Sequence, residues 1–200
     1  MNAKAIALII TFASLAIVLN PVISRLGIPY PPIPTLIFNI WEIPIIAAFL
    51  LIGFKSGIAV AAINSLFLFS IWPGPSQPFY ALGCVVSASS MMLGMYLVFK
   101  VVGRRIPAET LLIRTRIVSY ATVSAILFRI AIMAPYMYGL LKSPVYSLPD
   151  MAIFTVVLPW QAVYNIAQPL ITVPIAFIIA LGINKNIKIN TKNGLSLMRS

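Results

Sequence analysis

Long apolar stretches, separated by short polar or proline-rich segments, are the main pattern along this chain. They cover residues 3–19, 35–54, 57–72, 79–102, 117–141 and 161–183. Each is close to the roughly 20 residues that a helix needs to cross the apolar core of a bilayer. The pattern therefore predicts an all-α, polytopic membrane protein with a bundle of about six transmembrane helices. These helices form one domain over residues 1–184, followed by a basic tail over residues 185–200.

Proline changes this prediction in two places. The linker over residues 20–34 contains five prolines and is predicted to be stiff and extended. The last apolar region, residues 151–183, is longer than one span and contains Pro159, Pro169 and Pro174. We interpret it as a short interfacial piece followed by a bent helix that begins at about Gln161.

The composition agrees with a membrane protein in contact with lipid. Hydrophobic residues make up 61% of the chain and charged residues only 8%, which is too apolar for one water-soluble core. The net charge of +11 comes mainly from basic residues between the apolar stretches, a pattern typical of membrane orientation rather than of nucleic-acid binding. The single cysteine, Cys84, excludes an internal disulfide.

The positions of the basic residues predict the orientation, because positive residues mark the cytoplasmic side of short loops. In a six-span arrangement only Arg25 and Lys142 fall on one side. The basic residues on the other side are Lys4, Lys55, Lys100, Arg104, Arg105, Arg114, Arg116, Lys185, Lys188, Lys192 and Arg199. Both termini are therefore predicted to be cytoplasmic, in a multi-pass protein of the cell membrane.

Two charged residues lie inside apolar stretches. Arg129 is about 20 Å beyond Arg116 along a helix, where a guanidinium needs a partner or a water-filled cavity. Glu42 is the natural partner, since it is the only acidic residue within an apolar segment. Pro44 predicts a helix start near Ile43, hence a helix too short to span, and such interrupted spans indicate a transporter binding site. The two charged residues can therefore be interpreted either as a structural ion pair or as part of a functional site.

A group of amide and aromatic residues precedes and begins the last predicted helix. Gln161, Asn165 and Gln168 recur at spacings of four and three, which places them on one helical face. Amides in a lipid-embedded helix turn inward, where they either join helices or contact a ligand. Trp160 and Tyr164 either flank such a site or belong to the interfacial aromatic belt.

Missing residue types exclude most catalytic chemistry. The chain has no histidine and only three acidic residues, which excludes histidine-based metal sites, Ser-His nucleophiles and paired membrane carboxylates. It has no Gly-x-x-x-x-Gly-Lys-Ser/Thr loop, so it does not hydrolyse ATP by itself. We expect no catalytic residue, metal ligand or cofactor. The alternatives are a self-sufficient carrier or channel, a scaffold, or an intramembrane enzyme that uses serines such as Ser87.

The order of these features resembles the substrate-binding S components of energy-coupling-factor (ECF) vitamin transporters, especially the riboflavin-type branch. The matching segments are Ser14-Leu-Ala-Ile-Val-Leu19 after an alanine-rich start, Trp41-Glu-Ile-Pro44 for the family's Ser-Asp-Ile-Pro, Gly53-Phe-Lys-Ser-Gly57 for its Gly-Pro-x-x-Gly turn, and Tyr164-Asn-Ile-Ala-Gln168 for its Pro-Phe-Asn-Leu-Ile-Lys stretch. The chain has Glu42 where aspartate is usual and Gln168 where lysine is frequent.

The resemblance implies a lipid-embedded bundle that captures a vitamin-like small molecule, such as riboflavin, from outside. It also implies a transmembrane coupling protein and two cytoplasmic ATPases as partners, supplied by other chains, and no nucleic acid. The candidate substrate-binding residues are Glu42, Arg129, Asn165, Gln168, Trp41, Trp160, Tyr164 and Asn39. The small residues that would contact the coupling protein are Ala3, Ala7, Thr11 and Ser14, whose spacing permits close helix approach.

Overall fold

The structure is a computed structural model that describes residues 3–24, 27–71, 77–102 and 111–187. In the described residues the helices are α1 Ala3–Val18, α2 Pro21–Ser24, α3 Glu42–Ile52, α4 Phe54–Ile71, α5 Gln77–Val102, α6 Leu111–Lys142, α7 Asp150–Ala152 and α8 Leu158–Ile187. A π-helical turn, Ile153–Val157, joins α7 to α8. Between α2 and α3, the strands β1 Ile28–Tyr30 and β2 Ile33–Phe38 form an antiparallel hairpin.

Four segments among the described residues are long and apolar enough to cross a membrane: Phe54–Ile71, Pro78–Val101, Thr115–Lys142 and Asp150–Lys185. Two further apolar helices, α1 and α3, have 16 and 11 residues. At about 1.5 Å per residue, α3 is about 17 Å long and is too short to cross the apolar core alone. The prediction of a multi-pass bundle of about six helices is confirmed. The β1–β2 hairpin was not predicted.

Helix α3 is the centre of the bundle. All of its 11 residues are buried, and it packs against α1, α4, α5 and α8. This position follows from its sequence, because a helix that is apolar on every side must be enclosed by other helices or by lipid. Its first residue, Glu42, is therefore held inside the protein rather than at its surface.

Two glycines allow α3 and α4 to form a tight helical pair. Gly53, the single residue between them, has a backbone φ of 122°, a conformation that residues other than glycine rarely adopt. A Cβ atom on Gly57 would lie 2.8 Å from Cβ of Phe49 and 2.4 Å from Sδ of Met92. The two helices therefore approach more closely than any larger residue at position 57 would permit.

Three details differ from the sequence predictions. The predicted span over residues 35–54 is divided, because its first residues belong to β2 and only Glu42–Ile52 is helical. The helix predicted from about Gln161 begins earlier, because α7, the π-helical turn and α8 follow one another without a break from Asp150. The π-helical turn lies just before Pro159, whose missing N–H already interrupts the helical hydrogen bonds there. The linker predicted to be extended contains the short helix α2 as well as β1. There the Asn20 carbonyl and side chain accept bonds from the following N–H groups.

The two ends of the bundle differ in charge. Short connections make successive long helices antiparallel, so one end carries the hairpin and the start of α3, and we call it the hairpin end. The opposite end, which we call the basic end, carries Lys4, Lys55, Lys100, Arg116 and Lys185. Arg25, Arg104, Arg105, Lys188, Lys192 and Arg199 lie outside the described residues, as does most of the predicted tail. The cytoplasmic position of both termini stays a prediction.

Candidate functional site

A buried ion pair lies at the hairpin end of the bundle. Glu42, at the start of α3, and Arg129, in α6, are joined by a distance of 2.8 Å between Oε2 and Nη1. Their side chains are 1% and 3% exposed. The contact expected from the sequence is therefore present, although a role of either residue in substrate binding stays a prediction.

Neutral side chains complete the surroundings of both charges. Ser87 in α5 donates a 2.7 Å hydrogen bond to Oε1 of Glu42. Nε of Arg129 donates a 3.0 Å bond to Oδ1 of Asn165 in α8, and Nη1 also contacts Sδ of Met91 at 3.1 Å. Four helices thus meet at the pair. A buried ion pair is tolerated when its remaining donors and acceptors are satisfied in this way.

The position of Glu42 is favourable for a second reason. Because it is the first residue of α3, its carboxylate lies at the positive end of the helix dipole. Trp41, which precedes it, makes no side-chain hydrogen bond to the end of α3. The charge of Arg129 and the start of α3 both stabilise the carboxylate.

Aromatic rings connect the ion pair to the hairpin. Cζ of Arg129 lies 5.8 Å from the centre of the Tyr164 ring, within cation–π range. The Tyr164 ring is also 5.0 Å from that of Phe38 and 6.0 Å from that of Tyr30. Tyr164 therefore contacts the arginine and both strands of the hairpin. Trp160 is 46% exposed and lies beside Tyr30 at 6.4 Å, at the edge of this aromatic cluster.

The amide face of α8 holds the end of β2. Nε2 of Gln168 donates a 2.6 Å bond to the carbonyl of Asn39, whose own N–H donates a 3.3 Å bond to Oε1 of Gln168. Oη of Tyr164 donates a 2.9 Å bond to the carbonyl of Ile37. Gln161, Asn165 and Gln168 all point inward and are buried. In the structure they bond to other parts of the protein.

Several buried polar atoms near the hairpin have no hydrogen-bond partner among the described residues. They are Oη of Tyr30, Oδ1 of Asn39 and Nε1 of Trp41. Each such atom costs about 1–3 kcal/mol, since it has lost its bond to water without replacement. In α4, the side-chain oxygen and nitrogen of Asn64 are also buried and have no hydrogen-bond partner among the described residues. The hairpin end thus contains unused hydrogen-bonding capacity close to the ion pair.

The small residues predicted to contact a partner lie on the surface of α1. Ala3, Ala7, Thr11 and Ser14 are all exposed, whereas the opposite face of α1 packs into the bundle. Thr11 donates a 2.9 Å bond to the Ala7 carbonyl, so its hydroxyl is satisfied even in lipid. This face is open to another helix, and the contact itself stays a prediction.

Sequence reasoning missed three residues that the structure brings to the site. Tyr30 lies in the proline-rich linker and Phe38 in the second predicted apolar stretch, and neither segment carries a signal that its ring will reach Tyr164. Ser87 was considered only for the enzyme alternative, because nothing in the sequence separates it from Ser89 and Ser90. Its contact with Glu42 depends on the rotation of α5 about its axis.

Comparison with known proteins supports the fold. No protein-family model matches the sequence, and no curated protein matches it. Among solved structures, the chain is similar to the S component of a bacterial ECF transporter, with a TM-score of 0.61 and 16% sequence identity. The similarity covers 92% of this chain and 98% of that one. The chain is thus a multi-pass helical membrane protein with a fold similar to that of this S component.

Proposed function

We propose that this chain is the substrate-capture subunit of an ECF-type transporter and binds a vitamin-like small molecule, with riboflavin as the first candidate. The observation that carries the proposal is the polar network of Glu42 and Arg129 beneath an aromatic hairpin, on a fold similar to that of an S component. The hairpin end then faces the outside of the cell, in line with the basic residues at the opposite end.

The hairpin is attached in a way that suits ligand entry. The side-chain bonds described above hold β2 to Gln168 and Tyr164 of α8. A hairpin of two short strands is only marginally stable by itself. Breaking these few bonds would therefore expose Tyr164 and the ion pair, and closing the hairpin over a ligand would restore them.

The energy for transport comes from other chains in this proposal. The sequence has no ATP-binding loop, and the exposed small residues of α1 offer a surface for a transmembrane coupling protein. Two cytoplasmic ATPases would act through that protein. The capture subunit itself needs only to bind its ligand and release it when the assembly changes conformation.

The test is to reconstitute the purified chain in lipid vesicles, alone and with the coupling protein and ATPases of the same cell. Ligand binding is followed by native mass spectrometry and uptake by radiolabelled riboflavin and other vitamins. We expect the chain alone to bind a vitamin without ATP and to give no uptake, and the full assembly to give ATP-dependent uptake. Uptake by the chain alone would instead identify a self-sufficient carrier, and failure to bind any small molecule would contradict the proposal.

A further inference from the structure

The basic end of the bundle carries positive charge that no described acidic side chain balances. Its exposed basic residues are Lys4, Lys55, Lys100, Arg116 and Lys185. The acidic residues in the part of the chain that the structure describes are Glu42 and Asp150, and both lie at the hairpin end. Each already has a basic partner there, at 2.8 Å and 3.0 Å. The basic end is therefore a surface that attracts anions.

Two of these lysines flank one tyrosine where α4 and α5 meet. Lys100 follows Tyr96 by four residues on α5, so both lie on the same side of that helix. The Tyr96 ring is 5.5 Å from the ring of Phe54, the first residue of α4, and Lys55 is the next residue. Tyr96 is 41% exposed. Lys55 and Lys100 thus lie on adjacent helices, each about one helical turn or less from the two rings in contact.

Apolar side chains continue this surface toward the hairpin end. Leu66 lies three helical turns beyond Lys55 on the same side of α4, and Leu82 lies five turns before Lys100 on the same side of α5. Both leucines are more than half exposed. At about 1.5 Å per residue, Leu66 is about 17 Å deeper than Lys55. From the basic end inward, the surface therefore offers cations, then an aromatic ring, then apolar side chains.

This order of chemistry matches a single anionic phospholipid molecule. Lysine ammonium groups bind phosphate as point charges, and each basic residue near a membrane surface strengthens the attraction to anionic lipids. A tyrosine ring at the interface has an apolar body beside the acyl chains and a hydroxyl near the headgroup. A zwitterionic lipid has the same chains, but its own cation opposes the lysines. A soluble anion uses the lysines alone.

We propose that Lys55, Lys100 and Tyr96 form a binding site for an anionic phospholipid, with its phosphate between the two lysines and its acyl chains along α4 and α5. The site lies at the opposite end of the bundle from Glu42 and Arg129, and it does not depend on the proposed function. A lipid bound there connects α4 to α5, so the anionic lipid content of the membrane controls how firmly these helices are held together.

The first experiment measures which lipid the full chain retains. The chain is purified in mild detergent, incubated with equal amounts of phosphatidylglycerol and phosphatidylcholine that have the same acyl chains, and measured by native mass spectrometry. We expect retention of phosphatidylglycerol to be higher by about tenfold, since two cations act on its headgroup. Equal retention of the two lipids overturns the proposal.

Matched double variants test whether the preference belongs to this site. Lys55→Gln/Lys100→Gln should remove most of it. The control, Lys4→Gln/Lys185→Gln, loses the same charge at the same end but on α1 and α8, and should keep it. Equal loss in both double variants would indicate diffuse attraction by the whole basic end and would overturn the local site. Retention of the preference by Lys55→Gln/Lys100→Gln would overturn it as well.

Two further measurements distinguish a lipid from other anions and a binding effect from a folding effect. Glycerol 3-phosphate has the phosphate without acyl chains and should not displace bound phosphatidylglycerol; displacement would overturn the assignment to a lipid. In nanodiscs, the melting temperature should be higher with phosphatidylglycerol than with phosphatidylcholine. Lys55→Arg/Lys100→Arg should keep this difference, and Lys55→Gln/Lys100→Gln should lose it while melting normally in phosphatidylcholine. The same difference in both variants contradicts the proposal.

Discussion

At the hairpin end, hydrogen bonds and one ion pair join α3 to α5 and α6, and α6 to α8, whereas at the basic end α3, α5 and α8 meet through rings. Phe49 stacks on Phe99 at 6.2 Å, and Phe99 meets Phe177 at 5.9 Å. Near the middle of the bundle, Met91, Met92 and Met95 are fully buried. One end is therefore held by directional polar contacts and the other by close apolar packing.

Within a membrane, polar contacts and apolar packing differ in how they are lost when two surfaces separate. Apolar packing in a membrane depends on close approach of surfaces and is lost gradually as they separate. Polar contacts depend on particular partners, which a ligand can replace one by one. In the proposed function, the hairpin end thus exchanges protein contacts for ligand contacts while the basic end keeps the helices together.

The largest expected effect comes from removing one charge at the hairpin end. Arg129→Gln leaves the Glu42 carboxylate buried without its partner, and we expect it to destabilise the protein by roughly 3–5 kcal/mol. Thermal unfolding in nanodiscs measures the change. The double variant Glu42→Gln/Arg129→Gln removes both charges and should recover most of the loss. If the double variant is as unstable as the single one, charge balance is not what holds this end together.

The second largest effect is expected from disturbing the close packing at Gly94, one helical turn from Met91 toward the basic end. A Cβ atom on Gly94 would lie 2.5 Å from the carbonyl oxygen of Ser124, a backbone atom that cannot easily move. Gly94→Ala should therefore push α5 and α6 apart and cost about 2 kcal/mol of stability. Gly139→Ala is the control, because a Cβ atom there meets nothing within 4 Å. Equal melting temperatures for the two variants would contradict the importance of this approach.

A smaller and local effect is expected where α8 holds the hairpin. Gln168→Leu removes two hydrogen bonds to the backbone of Asn39, and we expect about 1 kcal/mol less protection of the hairpin. Hydrogen exchange of residues 28–38 measures it. Gln161→Leu on the same face is the control, since Gln161 bonds to the Met133 carbonyl in α6. If both variants increase exchange in the hairpin equally, Gln168 has no special role in holding it.

The smallest effect on the chain itself is expected on the exposed face of α1. Ala7→Trp should leave the melting temperature and ligand affinity unchanged, because Ala7 is exposed on the surface of α1. In the proposed assembly it should nevertheless weaken co-purification with the coupling protein and reduce uptake. Ile178→Trp, at an exposed position of α8, is the control. Equal uptake by the two variants would exclude this face as the docking surface.

The sequence predicted the helical class and the main charged pair for identifiable reasons. Apolar length determines which segments can cross a bilayer, and the cost of a buried charge made Glu42 the natural partner of Arg129. Pro44 correctly indicated that the helix of Glu42 is short, and it begins one residue before the predicted Ile43. These properties belong to single residues or to continuous segments, so they can be recognised without knowing the fold.

Only the tertiary structure decided which neutral residues complete the site. Ser87 reaches Glu42 because the rotation of α5 about its axis turns this serine toward α3. Tyr30 reaches Tyr164 because its strand β1, in the linker, pairs with β2 as a hairpin. The early start of the last helix likewise depends on the π-helical turn before Pro159, which keeps the chain helical although that proline lacks an N–H. Apolar length and charge cost are local, whereas helix rotation and strand pairing arise from contacts between residues far apart in the chain.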